Sequence, residues 1–350
     1  MKIRVGILTA PHIDFEQRAN TFILKNVRIG IGFHWDRHED QEFAGSLEIR
    51  NNPNGTQTAI NTIDLEDYLC SVISSEMNAN SPMELLKAHA VISRSWAIRA
   101  MQKPNHEGYH VCADDHCQRY EGLRRMSERA VEAVRETAGQ VLTNEQMVNG
   151  QMVNVVCDCR YYKCCGGKTE IWRTCWEDID VPYIQSVSCD YCKSPSPKVL
   201  RLVLNDYDQE TKDFRDWTVT YTNEELSEII RLKSGIDFGE IIDLIPLHRG
   251  ASGRIDSLQI IGTKHTEIIG KELKIRLWLS KSCLYSSWFE VEKTLATNHS
   301  PLAFTLHGHG WGHGAGLCQI GAAVMASEGH KYEEILSYYY VGSRLSTPAK

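Results

Sequence analysis

The sequence predicts an α+β protein, because strand-like and helix-like segments follow one another in separate blocks. Residues 1–62 contain short apolar runs such as "IRVGIL", "TFILKNVRIGIG" and "SLEIRN", separated by the turn-forming residues Asp, Asn, Pro and Gly. From "DLEDYL" onward the apolar residues recur at helical spacing, and strand-like runs return near residue 195. A chain of 350 residues with 42% hydrophobic residues is long enough for two domains, each with its own core.

The helical block contains three predicted helices. In the first, Leu65, Leu69 and Val72 lie on one face. The segment "PMELLKAHAVISRSWAIRAM" predicts a long second helix with Pro82 near its first turn. The segment "SERAVEAVRETA" predicts a third, which ends before Gly139 and the strand-like "QVLT".

A strand-rich block follows between about 195 and 300. Strands are predicted for "KVLRLVLND", "DSLQIIGT", "ELKIRLWL" and "WFEVEKT", and one helix for "NEELSEIIRLKSG", which ends at Gly235. The last 35 residues return to helix in "QIGAAVMASEG" and "KYEEILSYYYVG". We therefore predict a core made of residues 1–194 and 300–350, with residues 195–299 as a β-rich inserted lobe.

The charge balance excludes one class of partner. The net charge is −7, and no cluster of Lys and Arg marks a face that could follow a phosphate backbone, so no nucleic-acid partner is expected. A neutral, carbohydrate-like ligand suits this balance better. The start "MKIRVGILTAPHIDF" does not have the pattern of a signal peptide, and no transmembrane segment of roughly 20 apolar residues is present.

A zinc site is predicted within "HEGYHVCADDHCQRY". This stretch contains His106, His110, Cys112, His116 and Cys117, and two thiolates with two imidazoles are a common ligand set for tetrahedral zinc. Either His106 or His110 can complete the set. With four protein ligands the zinc would be structural, whereas three ligands and a water would let it polarise a substrate. The alternative is a polar loop with free thiols.

Twelve cysteines also need an explanation. Seven of them fall within 36 positions, namely Cys157, Cys159, Cys164, Cys165, Cys175, Cys189 and Cys192. Disulfides are one possibility, but the close pairs in "CDC", "CC" and "CDYC" are equally typical of free thiols or metal ligands. The sequence alone leaves the redox compartment open.

Two glycine-rich segments are candidate ligand contacts. In "YYKCCGGKTE", the glycines permit a tight turn, but the spacing is not that of a phosphate-binding loop, and an ordinary hairpin is the alternative. In "HGHGWGHGAG", glycine alternates with larger residues, so one face of an extended segment would be bare and allow close approach of another backbone. The other face would present Trp311 and His313 to a sugar ring, and His307 and His309 make a weaker metal site.

Glu76 is a candidate acid or base. It lies where one apolar helical stretch ends and another begins, and burial there can raise the pKa of a carboxyl group as a general acid requires. A solvated or capping glutamate is the alternative. The residue pattern alone does not favour Glu76 over Glu66 or Glu84.

Taken together, the motifs resemble the SpoIID/LytB domain family (stage II sporulation protein D). The matching segments occur in family order over roughly residues 60–345, and include "DLEDYLCSVISSEM", "LLKAHAVISRSWA", "HCQRYEG", "YYKCCGGKTE", "SGRIDSLQIIG" and "GHGWGHGAGLCQIGAAVMASEG". The chain differs from the family pattern at Cys165, where a small hydroxyl residue is usual, and at Cys318, where serine is common. The cysteines from 157 to 192 are not a general family feature, and a second zinc or a disulfide could account for them.

The resemblance implies a two-lobed crescent with a central groove and a peptidoglycan lytic transglycosylase activity on peptide-stripped glycan strands, with Glu76 as acid and base. It also implies a Zn²⁺ bound by His106, Cys112, His116 and Cys117, and a cell-envelope location. An alternative role is a non-catalytic module that binds the cell wall and enhances an N-acetylmuramoyl-L-alanine amidase. The implied substrate-binding residues are Arg94, Gln118, Gly166, Gly167, Lys168, Thr169, Trp311, His313 and Gln319.

Overall fold

The protein has the α+β fold that the sequence predicts. We describe a computed structural model, in residues 1–31, 36–114, 116–193, 195–204, 215–294 and 302–347. Its helices are α1 (Leu65–Glu76), α2 (Met83–Gln102), α3 (Glu128–Glu136), α4 (Trp172–Cys175), α5 (Pro197–Val203), α6 (Asn223–Ser234), α7 (Glu272–Trp278), α8 (Gln319–Ser327) and α9 (Tyr332–Tyr339), with one 3₁₀ turn at Asp190–Cys192. Among these helices, none combines the length and hydropathy needed to span a bilayer.

The strands form several small sheets. They are β1 (Lys2–Ala10), β2 (Phe15–Gln17), β3 (Thr21–Ile29), β4 (Arg37–Ala44), β5 (Ser46–Asn51), β6 (Gln57–Asp64), β7 (Val111–Cys112), β8 (Val141–Val148), β9 (Gln151–Val156), β10 (Tyr161–Tyr162), β11 (Asp216–Thr222), β12 (Ile241–Arg249), β13 (Ile255–Gly262), β14 (Thr266–Ile269), β15 (Phe289–Thr294), β16 (Ala303–His309), β17 (Leu317–Cys318) and β18 (Arg344–Ser346). The orders are β5-β6-β1-β7, β2-β3-β4, β18-β8-β9, β10-β17, β11-β16-β15 and β12-β13-β14.

One buried cluster of apolar residues surrounds α2. From Leu85 to Ala97 nearly every residue of this helix is buried, and it contacts α1, α3, α8 and α9. A helix that is buried on all sides is typical of the centre of a core. Helix α1 packs beside it and is capped by Asp64, whose side chain accepts a hydrogen bond from the backbone N–H of Glu66.

A second buried cluster includes residues from Trp217 to Leu306, around α6, α7 and the sheets formed by β11–β16. Two fully buried charged residues join it to the first. The Glu170 carboxylate accepts hydrogen bonds from the backbone N–H groups of Ala251 (2.9 Å) and Ser252 (3.0 Å), and Arg254 donates to the carbonyl of Gly312 (3.1 Å). These bonds attach the 250–254 turn to the glycine-rich segments. The domain boundaries at residues 195 and 299 stay a prediction.

Two of the predicted strands are helices. The segment "KVLRLVLND", of which 205 and 206 lie outside the described residues, forms α5, because the Ser196 side chain accepts a hydrogen bond from Val199 N–H and Pro197 starts the helix. The segment "ELKIRLWL" forms α7, because the buried positions are Glu272, Ile275, Arg276 and Leu279, at helical spacing. Two of those positions are charged and form a buried ion pair, so hydrophobicity alone suggested the wrong period.

The segment "HGHGWGHGAG" is extended only as far as His309, where β16 ends. Beyond it, Gly310 and Gly316 have φ angles of +75° and +87°, so the expected bare face of a strand is not formed. Close backbone contact is observed nonetheless. A Cβ on Gly310 would lie 2.8 Å from the carbonyl oxygen of Cys164, and one on Gly316 would lie 2.1 Å from that of Arg160. No larger residue fits at either position.

Candidate active site

Glu76 is the last residue of α1, and its side chain is half-buried. Its Oε1 accepts two hydrogen bonds, from the phenolic hydroxyl of Tyr161 (2.8 Å) and from the backbone N–H of Arg119 (3.0 Å). Both donors come from segments distant in sequence, and together they fix the position of the carboxyl group. A general acid or base needs a fixed position of this kind.

Tyr161 is itself held on two sides. It lies on β10, which pairs in parallel with β17 at Leu317, and its ring lies 4.4 Å from the ring of His89. Its backbone carbonyl accepts a hydrogen bond of 3.0 Å from Nε2 of His313. The backbone and the ring of Tyr161 therefore each contact a histidine.

Both of these histidines are neutral. Burial, reinforced by the positive charge of Lys163, lowers the pKa of His89 to about 3. Its Nε2 accepts a hydrogen bond from the Gln319 amide (3.1 Å), so Nδ1–H donates to the Ser93 hydroxyl (3.2 Å). Burial, followed by the charge of Arg160, also lowers the pKa of His313 well below its usual value. These neutral rings add no net charge behind Glu76.

The predicted metal loop brings its candidate ligand atoms close together. The ligand atoms of His106, Cys112, His116 and Cys117 all lie within 4.8 Å of one another. His106 Nε2 lies 3.2 Å from the Cys117 thiol, whereas Nδ1 of His110 accepts a hydrogen bond from the backbone N–H of Arg4 (3.0 Å) outside the group. Of the two alternatives left by the sequence, His106 is the one in the cluster.

The loop that carries these four side chains leads directly to the Glu76 carboxyl group. Cys117 is followed by Gln118 and then by Arg119, whose N–H is bonded to Glu76. Two thiols and two imidazoles at this separation match the donor set and compactness of a tetrahedral zinc site. A metal held there would fix the loop that positions the Arg119 N–H.

Aromatic side chains extend the site beyond His313. The Trp176 ring is half-buried and lies 4.9 Å from the His313 ring. The Arg160 guanidinium lies 4.9 Å from the Trp176 ring centre and 5.3 Å from that of Trp172, within the range of cation–π attraction. These contacts give a partly exposed aromatic surface that is connected through His313 and Tyr161 to Glu76.

Several residues expected to bind substrate are instead buried in internal hydrogen bonds. Arg94 is 1% exposed and forms a two-bond pair with the Glu66 carboxylate at 2.8 and 2.7 Å. Gln118 is 1% exposed, and its amide bonds to the Tyr68 hydroxyl and the Ser93 carbonyl. Both side chains spend their hydrogen bonds inside the protein, and the substrate contact expected of them stays a prediction.

Thr169 and Gln319 are also buried in internal hydrogen bonds. Thr169 is fully buried and bonds to the backbone of Gln185 and Val187. Gln319 is buried against His89, as described above. The substrate contacts expected of Thr169 and Gln319 likewise stay predictions.

The remaining predicted residues differ in exposure. Trp311 is only 9% exposed, and its ring contacts Tyr285. Gly166 is buried against Gly310, while Gly167 is partly exposed and Lys168 is exposed. His307 and His309 pair with Glu292 and Asp216 on the surface of the β11-β16-β15 sheet.

Sequence reasoning missed His89, Tyr161, Arg160 and Trp176 as site residues. His89 and Tyr161 lie in segments that matched the family pattern, but nothing in one sequence indicates that a histidine on α2 contacts a tyrosine on β10. Arg160 and Trp176 belong to no motif that a single sequence reveals. A contact map would have been needed to find them.

Comparison with known proteins gives two family matches and several relatives. Residues 53–144 match the family described as Stage II sporulation protein, and residues 170–316 match a domain of unknown function (DUF8618). The chain is 27% identical over 303 residues to Stage II sporulation protein D of Bacillus subtilis (strain 168), covering 82% of this chain and 76% of that protein. It is 26% identical over 304 residues to the protein of the same name from Bacillus amyloliquefaciens, with the same coverage.

A third relative has a different name. The chain is 26% identical over 309 residues to the Amidase enhancer of Bacillus subtilis (strain 168), covering 80% of this chain but 40% of that protein. The similarity to all three relatives extends over about four-fifths of this chain and so is not confined to one motif.

Proposed function

Because the chain belongs to the family of stage II sporulation protein D, we propose that it is a lytic transglycosylase of peptidoglycan. Its substrate is glycan strands without stem peptides, and the bond cleaved joins N-acetylmuramic acid to N-acetylglucosamine. The observation that carries the proposal is the half-buried Glu76 carboxyl group, held by Tyr161 and the Arg119 N–H beside an aromatic surface. One carboxyl group is sufficient for this reaction.

In the first step, protonated Glu76 acts as the general acid. Because the Tyr161 hydroxyl and the Arg119 N–H both donate to Oε1, we place the acidic proton on Oε2. It passes to the glycosidic oxygen as the bond from that oxygen to C1 of the muramic acid breaks, and the N-acetylglucosamine leaves with a new hydroxyl group. Glu76 is then a carboxylate, and the Tyr161 hydroxyl and Arg119 N–H stabilise its charge.

In the second step, the carboxylate acts as the general base. It takes the proton from the C6 hydroxyl of the same muramic acid, and the C6 oxygen bonds to C1 to give the 1,6-anhydro product. Glu76 is protonated again, and no water is consumed. A second carboxylate, which hydrolytic glycosidases use, is not needed.

We assign a Zn²⁺ to His106, Cys112, His116 and Cys117. Zinc bound by four protein ligands is closed and structural, and when bound it would hold the loop in one conformation. The loop residues position the Glu76 carboxyl group. Cys117 is followed by the buried Gln118 and then by Arg119, whose N–H orients that carboxyl group. No chemical step passes through this site.

Trp176 and His313 supply the wall next to the reacting bond. The partly exposed face of Trp176 is suited to stack on a sugar ring, because pyranose rings present C–H groups to aromatic faces. The exposed Lys168, on the same glycine-containing loop as Gly167, is available to the acidic lactyl group of muramic acid. The proposed substrate contacts are therefore Lys168, which the family resemblance already implies, and Trp176, which the sequence did not indicate.

A second function is favoured by the similarity to the Amidase enhancer. In that case the same surface binds glycan without cleaving it, and a cell-wall amidase is the partner. Incubating the protein with peptide-free glycan strands and analysing the products by mass spectrometry separates the two. New 1,6-anhydro ends support the transglycosylase, whereas binding with unchanged strands supports the module.

A further inference from the structure

Four cysteines from three separate segments meet at a point away from the metal loop. Cys165 follows β10, Cys189 immediately precedes the 3₁₀ turn, Cys192 is the last residue of that turn, and Cys318 immediately precedes α8. All four side chains are completely buried, and their sulfur atoms lie within 4.8 Å of one another. Because Cys318 is distant in sequence from the other three, the fold and not local spacing assembles the group.

The separation of the sulfur atoms fits a single metal ion. With Zn–S bonds of about 2.3 Å, the corners of a tetrahedron lie about 3.8 Å apart, which is compatible with the observed limit of 4.8 Å. The Cys165 and Cys192 sulfur atoms are 3.1 Å apart, longer than the roughly 2.05 Å of a disulfide bond. All four cysteines are free thiols, so their sulfur atoms form a compact group and not two disulfide-bonded pairs.

Hydrogen-bond donors point at these sulfur atoms. The Cys318 sulfur accepts from the backbone N–H of Cys165 and of Gly321, both at 3.3 Å, and the Cys165 sulfur accepts from that of Gly167 at 3.4 Å. A thiolate is a far better acceptor than a neutral thiol, so this arrangement suits charged sulfur. The N-terminus of α8 at Cys318 favours negative charge as well.

The absence of a side chain at Gly321 leaves room for the sulfur atoms of this group. A Cβ on Gly321 would lie 2.8 Å from the Cys189 sulfur and 2.2 Å from the hydroxyl oxygen of Tyr339. That hydroxyl lies 3.2 Å from the Cys189 sulfur and can donate to it. Glycine at this position on the first turn of α8 is what allows Cys189 and Tyr339 to approach the helix.

The geometry points to a second metal centre, a structural Zn²⁺ bound by Cys165, Cys189, Cys192 and Cys318. On binding, the four thiols release their protons to solvent and the centre carries a net charge of −2, which the N–H donors offset. No ligand position is left for water, since all four sulfur atoms are enclosed.

The second centre has a defined structural effect. It joins the loop after β10 to the start of α8, next to the β10–β17 pair that carries Tyr161. The first metal loop positions Glu76 through the Arg119 N–H. The second centre instead supports β10, the strand whose Tyr161 hydroxyl bonds to Glu76. It does not depend on the proposed reaction, because its ligands do not contact substrate.

The test is the zinc content of the 350-residue chain, purified with ZnSO₄ and measured by plasma mass spectrometry. We expect about two zinc ions per chain, and about one in the double variant Cys112→Ser/Cys117→Ser. X-ray absorption of that double variant should show sulfur as the only ligand atom. Cys192→Ser should lose one zinc, and Cys283→Ser, outside both clusters, should lose none.

The double variant tests the second zinc site even if Cys192→Ser does not fold, because it leaves all four cysteines of that site unchanged. Absence of zinc from a folded double variant, or nitrogen among the ligands of the remaining zinc, would overturn the proposal. So would a denatured, unreduced protein whose mass shows the hydrogen loss of a disulfide at Cys165 or Cys192. If the first site alone fails, the wild type holds one zinc and the double variant keeps it.

Discussion

The hydroxyl group of Tyr161 donates a hydrogen bond of 2.8 Å to the carboxyl group of Glu76. The two residues come from different segments, and the contact depends on β10 pairing with β17 and on the neutral rings of His89 and His313. Glu76, the proposed acid and base, is therefore positioned by a network of buried contacts. Single substitutions can test these contacts one at a time.

Removing this hydrogen bond should slow catalysis. Tyr161→Phe keeps the ring contact with His89 but removes a donor to a charged group, a loss of about 1.5–3 kcal/mol. If the bond stabilises the ionised Glu76 during reaction, kcat on peptide-free glycan falls roughly 10- to 100-fold. Tyr162→Phe is the matched control, because the Tyr162 hydroxyl makes no hydrogen bond within the described residues. Equal rates for the two variants would exclude this role for Tyr161.

The buried His89 should make folding stability depend on pH. Its pKa is about 3 in the folded protein and 6.5 for an ordinary histidine, so between these values the unfolded chain binds more protons. The stability contributed by neutral His89 is thus complete above about pH 6.5 and is lost as the pH falls. In His89→Gln, the slope of unfolding free energy between pH 6 and 4 should decrease by about 1.4 kcal/mol per pH unit. Urea unfolding across this range measures it, and an unchanged slope would contradict it.

The metal loop offers a matched pair of histidines. His106→Asn removes a ligand atom from the cluster and should lower the zinc content by about one ion per chain, whereas His110→Asn should leave it unchanged. Since the loop carries Arg119, loss of zinc should also lower activity while Glu76 is intact. Metal analysis and glycan cleavage test the two parts. Zinc loss on changing His110 instead would assign the ligands differently.

Glycine at position 316 should be required for close packing, and not only for its backbone angle. A Cβ there would lie 2.1 Å from the Arg160 carbonyl oxygen, whereas Gly329 has a similar positive φ with no atom within 4 Å. Gly329→Ala should cost about 1–2 kcal/mol of stability from backbone strain alone. Gly316→Ala should cost about 1–3 kcal/mol more. Thermal unfolding compares them, and equal losses would refute the packing argument.

The sequence predicted the α+β class, the helices α1, α2 and α3 and the members of the metal loop, since these depend on periodicity and on clustered ligand types. It failed at α7, where the buried face includes the Glu272–Arg276 pair, because a partner for buried charge is visible only in three dimensions. The burial of Arg94 and Gln319 is likewise visible only in three dimensions. Both residues belong to family motifs. Inside the fold, Arg94 pairs with the Glu66 carboxylate and the Gln319 amide donates a hydrogen bond to His89.

The sequence also left the many cysteines unexplained. Cys165 and Cys318 are the positions that differ from the family pattern, and the structure brings both into one group with Cys189 and Cys192. Their separation along the chain concealed the group, because ligand spacing can be recognised only when the ligands lie close in sequence.

The central claim is that Glu76 is the single acid and base of a lytic transglycosylase. The most direct measurement is mass spectrometry of peptide-free glycan strands after incubation with wild type, Glu76→Gln and the control Glu84→Gln, a glutamate on the neighbouring helix. We expect 1,6-anhydro-muramic ends from the wild type and from Glu84→Gln, and none from Glu76→Gln, which should still bind the strands. Anhydro ends from Glu76→Gln at the wild-type rate, or wild-type ends heavier by one water, would contradict the claim.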